Sequence, residues 1–183
     1  KQYNMSNADN INGFYSHGNN QAYLLFRNNE QTMRTAAHEA THAVNRAIIG
    51  YTPRWLNEGL AEYSEFIQVV GNSAKVYPNS DWTNKSIISK QPLPLTELFS
   101  ASSSQWNSDL RQRLYATSWA FIYFMMEHPQ RKSLLAKLIK IEQQNLCNVT
   151  PLNKMEEKLE VQLNILQNQF SRWSKLTLIR QSI

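Results

Sequence analysis

With 183 residues, 42% of them hydrophobic and 11% aromatic, the chain suits one domain with a sizeable core and would be cramped as two. Whole-chain disorder is excluded, no apolar run approaches the roughly 20 residues that cross a bilayer, and a single cysteine, Cys147, excludes a disulfide framework or a Cys-rich zinc finger. The formal charge of +5 invites a polyanion-binding reading, yet residues 1–127 carry ten basic and ten acidic side chains and residues 128–183 carry nine against four, so the excess belongs to the C-terminal part. The chain opens on Lys1 with no charged-then-apolar leader after it, as expected of a processed, extracytoplasmic protein or of an excised piece.

Residues 1–20, rich in Asn, Ser and Gly, predict an irregular lead-in. The short apolar run Gln21 to Arg27 predicts one strand, an edge, so that residues 1–30 form a lead-in and edge strand. From about Glu30 the apolar positions Met33, Ala36, Ala37, Ala40, Val44, Ala47 and Ile48 recur at three and four, which predicts a helix capped by Gly50. After a turn at Tyr51-Thr52-Pro53, helical spacing resumes from Arg54 to about Val70 through Trp55, Leu56, Leu60, Tyr63 and Phe66, giving a helix pair over 31–70. Pro78, Pro92 and Pro94 mark a loop excursion over 71–108, interrupted by a helical turn at Leu95 to Phe99. Residues 109–183 read as a helical C-terminal part. A nearly all-apolar, buried helix runs from Asp109 to Glu127, and further helices cover Ser133 to Asn145 and Lys154 to about Leu178, with a turn at Asn148-Val149-Thr150 before Pro151.

Chemistry concentrates in His38-Glu39-Ala40-Thr41-His42. Four residues are about one helical turn, so both imidazoles fall on one face, spaced to grip one metal ion. Glu39 lies beside them and not between them, where a carboxylate reaches a metal-activated water without joining the coordination sphere. A catalytic zinc takes three protein ligands and keeps one position open, so a third ligand must come from a neighbouring element. Glu58, separated from His42 by fifteen residues and across the predicted turn, is the candidate; taken alone it reads better as a helix N-terminal carboxylate favoured by the macrodipole. Ala36, Ala40 and Ala43 on the first helix and Gly59 and Ala61 on the second are expected to let the two helices approach.

His-Glu-x-x-His followed by Trp55-Leu56-Asn57-Glu58-Gly59-Leu60-Ala61-Glu62-Tyr63-Ser64-Glu65 resembles the gluzincin clan of zinc metallopeptidases, which includes thermolysin and the membrane-alanyl-type aminopeptidases. Together with Tyr115 to Phe121 and a closing helix around Phe170 to Trp173, it is similar to the small bacterial peptidase-MA-like members. The resemblance covers about Gly13 to Trp173. It implies an α+β, mainly α fold with a zincin-like, thermolysin-type catalytic domain, a small edge sheet and a following helical bundle. It implies one zinc ion per chain on His38, His42 and Glu58, with Glu39 as general base. It also suggests Glu65 as the carboxylate that orients a ligand imidazole, a role that suits a position two turns beyond Glu58 on the same face, and matches Tyr115 to the tyrosine that hydrogen-bonds the oxyanion. Tyr115 also reads as a core residue of an apolar helix, with Tyr63 and Tyr123 as rivals for the same role.

Two departures bear on activity. The His42 to Glu58 interval is shorter than in the large aminopeptidases, which implies a tighter interhelical turn. The strand before the zinc helix lacks their amine-anchoring Glu, and the nearest carboxylate is Glu30. An edge strand without an anchor suits extended pairing with a substrate backbone and favours endopeptidase action on a peptide or protein. The competing expectation is a zinc-stabilised binding or scaffold domain without turnover. Nucleic-acid binding finds no support, because no aromatic-interleaved basic stripe is present. His17 and His128 lack ligand-spaced partners.

Overall fold

A computed structural model describes residues 12–82 except 17, 26 and 28, together with 91–144 and 150–178. Residues 1–11, His17, Asn145, Cys147 and the Asn148-Val149 part of the expected turn lie outside them. The described chain is mainly helical with two small antiparallel sheets, which agrees with an α+β, mainly α class.

The lead-in holds a strand that the sequence pattern hides. Strands β1 (Gly13–Ser16) and β2 (Gln21–Leu24) form an antiparallel hairpin with Phe14 opposite Tyr23 and Tyr15 opposite Ala22. Asn20, at φ +53°, closes the turn in the left-handed conformation that asparagine tolerates. Leu25 N–H donates to the Asn12 carbonyl at 2.8 Å. Pairs alternate along an antiparallel ladder, so the backbone groups of Gly13 and Tyr15 point away from β2, to the outer edge of β1. Both strands pack against helix α1 (Glu30–Ile48).

Asn29 starts α1: its side-chain oxygen accepts the Thr32 N–H at 2.9 Å, which satisfies one of the free donors of the first turn. Gly50, at φ +89°, ends it as expected. Helix α1 does not bury most of the apolar positions that mark its period. Met33, Ala40, Val44, Ala47 and Ile48 are exposed, Met33 at 69%, while Thr32, Thr35, Glu39, His42 and Asn45 are buried. The 3.6-residue period is there, but the helix turns its polar stripe inward.

Helix α2 (Arg54–Ser64) starts at Pro53 and stops six residues before the expected end. Residues that continue its apolar pattern form β3 (Ile67–Val70), which pairs with β4 (Ser73–Val76) through a turn where Gly71 sits at φ +59°. Ile67, Val69 and Val70 are β-branched, which favours a pleated strand over a further helical turn. The loop excursion therefore contains half of a hairpin, and the short helix α3 (Ser80–Trp82) follows it.

Helix α4 (Leu95–Ser100) and a 3₁₀ turn at Gln105–Asn107 lead into α5 (Arg111–Met126), which is buried on all sides from Ala116 to Ile122. Around α5 gather Trp55 and Leu56 of α2, Leu95 and Leu98 of α4, and Trp106. Leu135 and Leu138 of α6 (Pro129–Gln144), Met155 of α7 (Leu152–Leu159) and Phe170 of α8 (Leu163–Trp173) complete one contiguous apolar cluster. The expected long terminal helix is two helices, because Glu160 adopts φ +57° as a left-handed cap after α7. A π-helical turn, Ser174–Leu178, follows α8.

Gly59 fixes α2 against α5. A Cβ built on it would lie 2.8 Å from both the Ser118 carbonyl oxygen and Ile122 Cγ1. Gly59 thus serves the approach of α2 to α5, while α1 and α2 also pack closely against each other as expected. Polar bonds join α1 to α2: Asn45 Nδ2 donates to Asn57 Oδ1 at 2.9 Å, and the Thr41 and Ser64 hydroxyls hydrogen-bond each other. No described helix is long and apolar enough to cross a membrane.

Candidate metal centre and its cleft

On α1, His38 and His42 project from one face with ring centroids 4.7 Å apart and ring planes at 84°. Glu58, in the second turn of α2, points its Oε2 at both, 3.5 Å from His38 Nε2 and 3.6 Å from His42 Nε2. That oxygen is buried without a hydrogen-bond partner. An orphaned carboxylate oxygen inside a protein is costly unless something else pairs with it, and here two imidazole nitrogens face it at distances too long for hydrogen bonds. Ligand atoms of the three side chains lie within 4.8 Å of one another, a group that can hold a metal ion.

The supporting contacts divide the work. Glu58 Oε1 stands 3.8 Å from Arg54 Nε, and the Arg54 guanidinium lies over the Trp106 ring at 4.9 Å. Burial pushes the Glu58 carboxyl upward, but His38, His42 and Arg54 outweigh it and hold it below the usual range, so it is ionised. His38 Nδ1 meets Glu65 Oε1 at 2.7 Å. Burial would lower the His38 pKa, yet the surrounding Glu58, Glu65 and Glu62 carboxylates raise it to about 10. In the absence of a cation the site therefore carries a proton where an ion would put its charge. Glu65 sits just past the end of α2 and still reaches the imidazole for which the sequence proposes it.

Glu39 is buried and lines the same cleft. Desolvation raises its pKa, opposed by the charge of His38 and by a hydrogen bond from the Tyr15 backbone N–H, one of the groups that point away from β2. The strand that borders the metal cluster is thus β1 and not the expected run after Gln21: Gly13, Phe14 and Tyr15 line the cleft, while all of β2 is exposed. Glu30, the alternative amine anchor, is exposed and pairs with Arg34.

Tyr115, one turn into α5, forms part of the opposite wall with Arg111 and Gln112. Its ring meets Trp106 edge-on at 5.4 Å, and Arg54 hydrogen-bonds its hydroxyl. Burial and the nearby Glu58 charge raise its pKa above the ordinary tyrosine value, so the hydroxyl keeps its proton. Its rivals are elsewhere: Tyr63 and Tyr123 lie 6.1 Å apart in an aromatic cluster, Tyr123 tilted against Trp119 and Trp173.

The cleft encloses about 560 Å³. Besides the expected residues it contains Glu62 and Trp82, joined by a hydrogen bond from Trp82 Nε1 to Glu62 Oε2 at 2.6 Å. Burial, with the Glu65 charge next, pushes the Glu62 carboxyl up to about 7. Glu62 and Arg54 were legible by spacing, since each is four residues from Glu58 and shares its helix face. No spacing rule reaches Trp82 from α2.

Residues 32–147 match the family described as a protein of unknown function, DUF1570, and the chain belongs to that family. No curated protein and no solved structure matches the chain.

Proposed function

We propose that this chain is a zinc-dependent peptidase of gluzincin type that cleaves peptide bonds within extended substrates. The observation that carries the reading is the convergence of His38 Nε2, His42 Nε2 and Glu58 Oε2, an oxygen without a hydrogen bond, in a cleft that also contains Glu39. Two imidazoles and one carboxylate, with the cleft beside them, are the donor set of a catalytic zinc with one position open. When bound, zinc supplies Lewis acidity, which polarises a carbonyl and makes water acidic enough to lose a proton near neutral pH.

The chain's own groups account for the rest. Glu39 takes the proton of the attacking water and returns it to the leaving amine, and its burial and raised pKa suit both transfers. The Tyr15 N–H steadies that carboxylate. Glu65 fixes the orientation of His38 by accepting from Nδ1, which leaves Nε2 free to ligate. Tyr115, protonated in the opposite wall, donates to the oxyanion as the carbonyl carbon becomes tetrahedral. The outward backbone groups of Gly13 offer an extended substrate a strand to pair with. That edge favours endopeptidase action, and the zincin-like fold belongs to the same proposal.

The test is metal analysis of protein purified without added metal, paired with a peptide-library digest by wild type and Glu39→Gln. Equimolar zinc in both, with cleavage by wild type alone, is the expected result. Equal cleavage by the variant would remove Glu39 from the mechanism, and bound zinc with no turnover of any peptide would favour the scaffold reading.

A further inference from the structure

The mechanism leaves one buried carboxylate of the cleft unused. Glu62 is 7% exposed and lines the cavity one helical turn after Glu58. Its Oε2 is held by the Trp82 indole N–H. Its Oε1 makes only a long ion pair, 4.0 Å, with His38 Nδ1, and that nitrogen is already engaged by Glu65 at 2.7 Å. Among the described residues no Lys or Arg pairs with Glu62: Arg34 is taken by Glu30, Arg54 by Glu58, and Arg111 lies over the Tyr115 ring. A carboxylate has about four acceptor positions, and burying one with a single donor is costly. Here that cost falls where a bound substrate would relieve it.

We infer that Glu62 and Trp82 form a subsite for a positively charged group of the substrate, an ammonium or guanidinium. The inference rests on the peptidase reading and names the kind of peptide it takes. A cation in the cleft gains Oε1 of the carboxylate, which makes only a long ion pair with His38, as acceptor, and the indole tethered to that carboxylate offers an aromatic surface beside it. One helical turn is roughly 6 Å of rise, and an extended peptide advances about 3.3 Å per residue, so the recognised charge lies within one or two residues of the scissile bond. The group His38, Glu62 and Glu65 is also close enough to hold a metal ion. With His38 Nε2 turned to Glu58, however, its Nδ1 carries the proton that Glu65 accepts, and a proton donor is no ligand.

Two sources supply such a cation, the peptide's own N-terminus and a Lys or Arg side chain. Binding is measured by calorimetry to zinc-loaded Glu39→Gln protein, using short polyalanine peptides of three kinds. One is acetylated and uncharged, one is acetylated with a Lys moved through each position, and one has a free N-terminus. The expected result is at least tenfold tighter binding of one charged kind over the uncharged peptide, and that kind identifies the source. The charged-to-uncharged ratio is expected to fall to about one in Glu39→Gln/Glu62→Gln, where the glutamine oxygen still accepts from Trp82 and preserves the fold. Equal binding of charged and uncharged peptides, or a ratio that survives Glu62→Gln, overturns the subsite. A second equivalent of zinc lost on Glu62→Gln also overturns it, in favour of a second metal. Wild-type turnover is scored separately: cleavage of all three kinds at one rate overturns the subsite and leaves the peptidase reading standing, whereas discriminating binding without turnover counts against the peptidase alone.

Discussion

Glu65 Oε1 lies 2.7 Å from Nδ1 of His38, and the same imidazole turns its Nε2 to Glu58 Oε2 at 3.5 Å. One ring is thus held from both sides by carboxylates on the same stretch of chain, and its orientation is set before any ion arrives. Carboxylates that accept from a ligand imidazole typically contribute 10–100-fold in metal affinity. Glu65→Ala is therefore expected to weaken zinc binding by about 10–100-fold in competition with a chromogenic chelator, with Glu65→Gln intermediate. Unchanged affinity in both variants would reduce Glu65 to a solvated glutamate.

Glu58 depends in the same way on Gly59. With Ser118 O and Ile122 Cγ1 each 2.8 Å from where a Cβ would sit, Gly59→Ala must push α2 away from α5, and a backbone carbonyl does not yield as a flexible side chain would. Overpacking of this kind costs roughly 1–3 kcal/mol. Urea denaturation of the Gly59→Ala protein is expected to show that loss, and zinc affinity is expected to fall with it because Glu58 rides on the displaced helix. A variant as stable as wild type would mean that the helices separate without cost.

The group that can hold a metal ion was legible in the sequence because it depends on local geometry: four residues bring His38 to His42 on any helix, and the Glu58 motif adds a third candidate ligand. Its surroundings were not. The buried face of α1 was not legible because periodicity locates a stripe but not the side that is buried, and here the inward stripe carries Glu39 and His42 while Val44 and Ile48 face out. Strand β1 escaped notice because Gly13-Phe14-Tyr15-Ser16 is short and follows Asn-rich turns, and its strand character comes from pairing with β2. The end of α2 was set too late because Phe66 to Val70 continues an apolar run that β-branched residues send into a hairpin. Trp82 reaches Glu62 by a tertiary contact that no spacing announces.

Away from the cleft, Glu142 offers a test of buried charge. It is fully buried on α6, its Oε2 accepts the Thr150 N–H at 3.3 Å, and its Oε1 lacks a partner. Burial raises its pKa above the ordinary value of 4.5, only partly offset by Thr150 and Lys158. A carboxyl with a raised folded-state pKa binds its proton more tightly folded than unfolded, so its contribution is fully present below 4.5 and is lost as pH rises through the folded value. Glu142→Gln, which carries no charge to bury, is expected to match wild type near pH 4 and to exceed it at pH 8 in urea midpoint. A difference that does not grow with pH would mean that Glu142 titrates as if exposed.

Tyr115 can be separated from its neighbours by kinetics. It is the tyrosine of α5 that lines the cleft and keeps its proton, whereas Tyr123, two turns further on, is pushed up to about 12 by burial and Glu127 within an aromatic cluster. An oxyanion donor acts only as charge develops, so its loss lowers kcat and leaves KM nearly alone. Tyr115→Phe is expected to lower kcat by about 10²–10³, with zinc content and the urea midpoint close to wild type because the ring and its contact with Trp106 remain. A core role predicts a different outcome, a small change in stability with kcat intact. Tyr123→Phe is the control, since its hydroxyl lies outside the cleft, and an equal kcat loss there would assign the effect to packing of α5 instead of to a donor at the site.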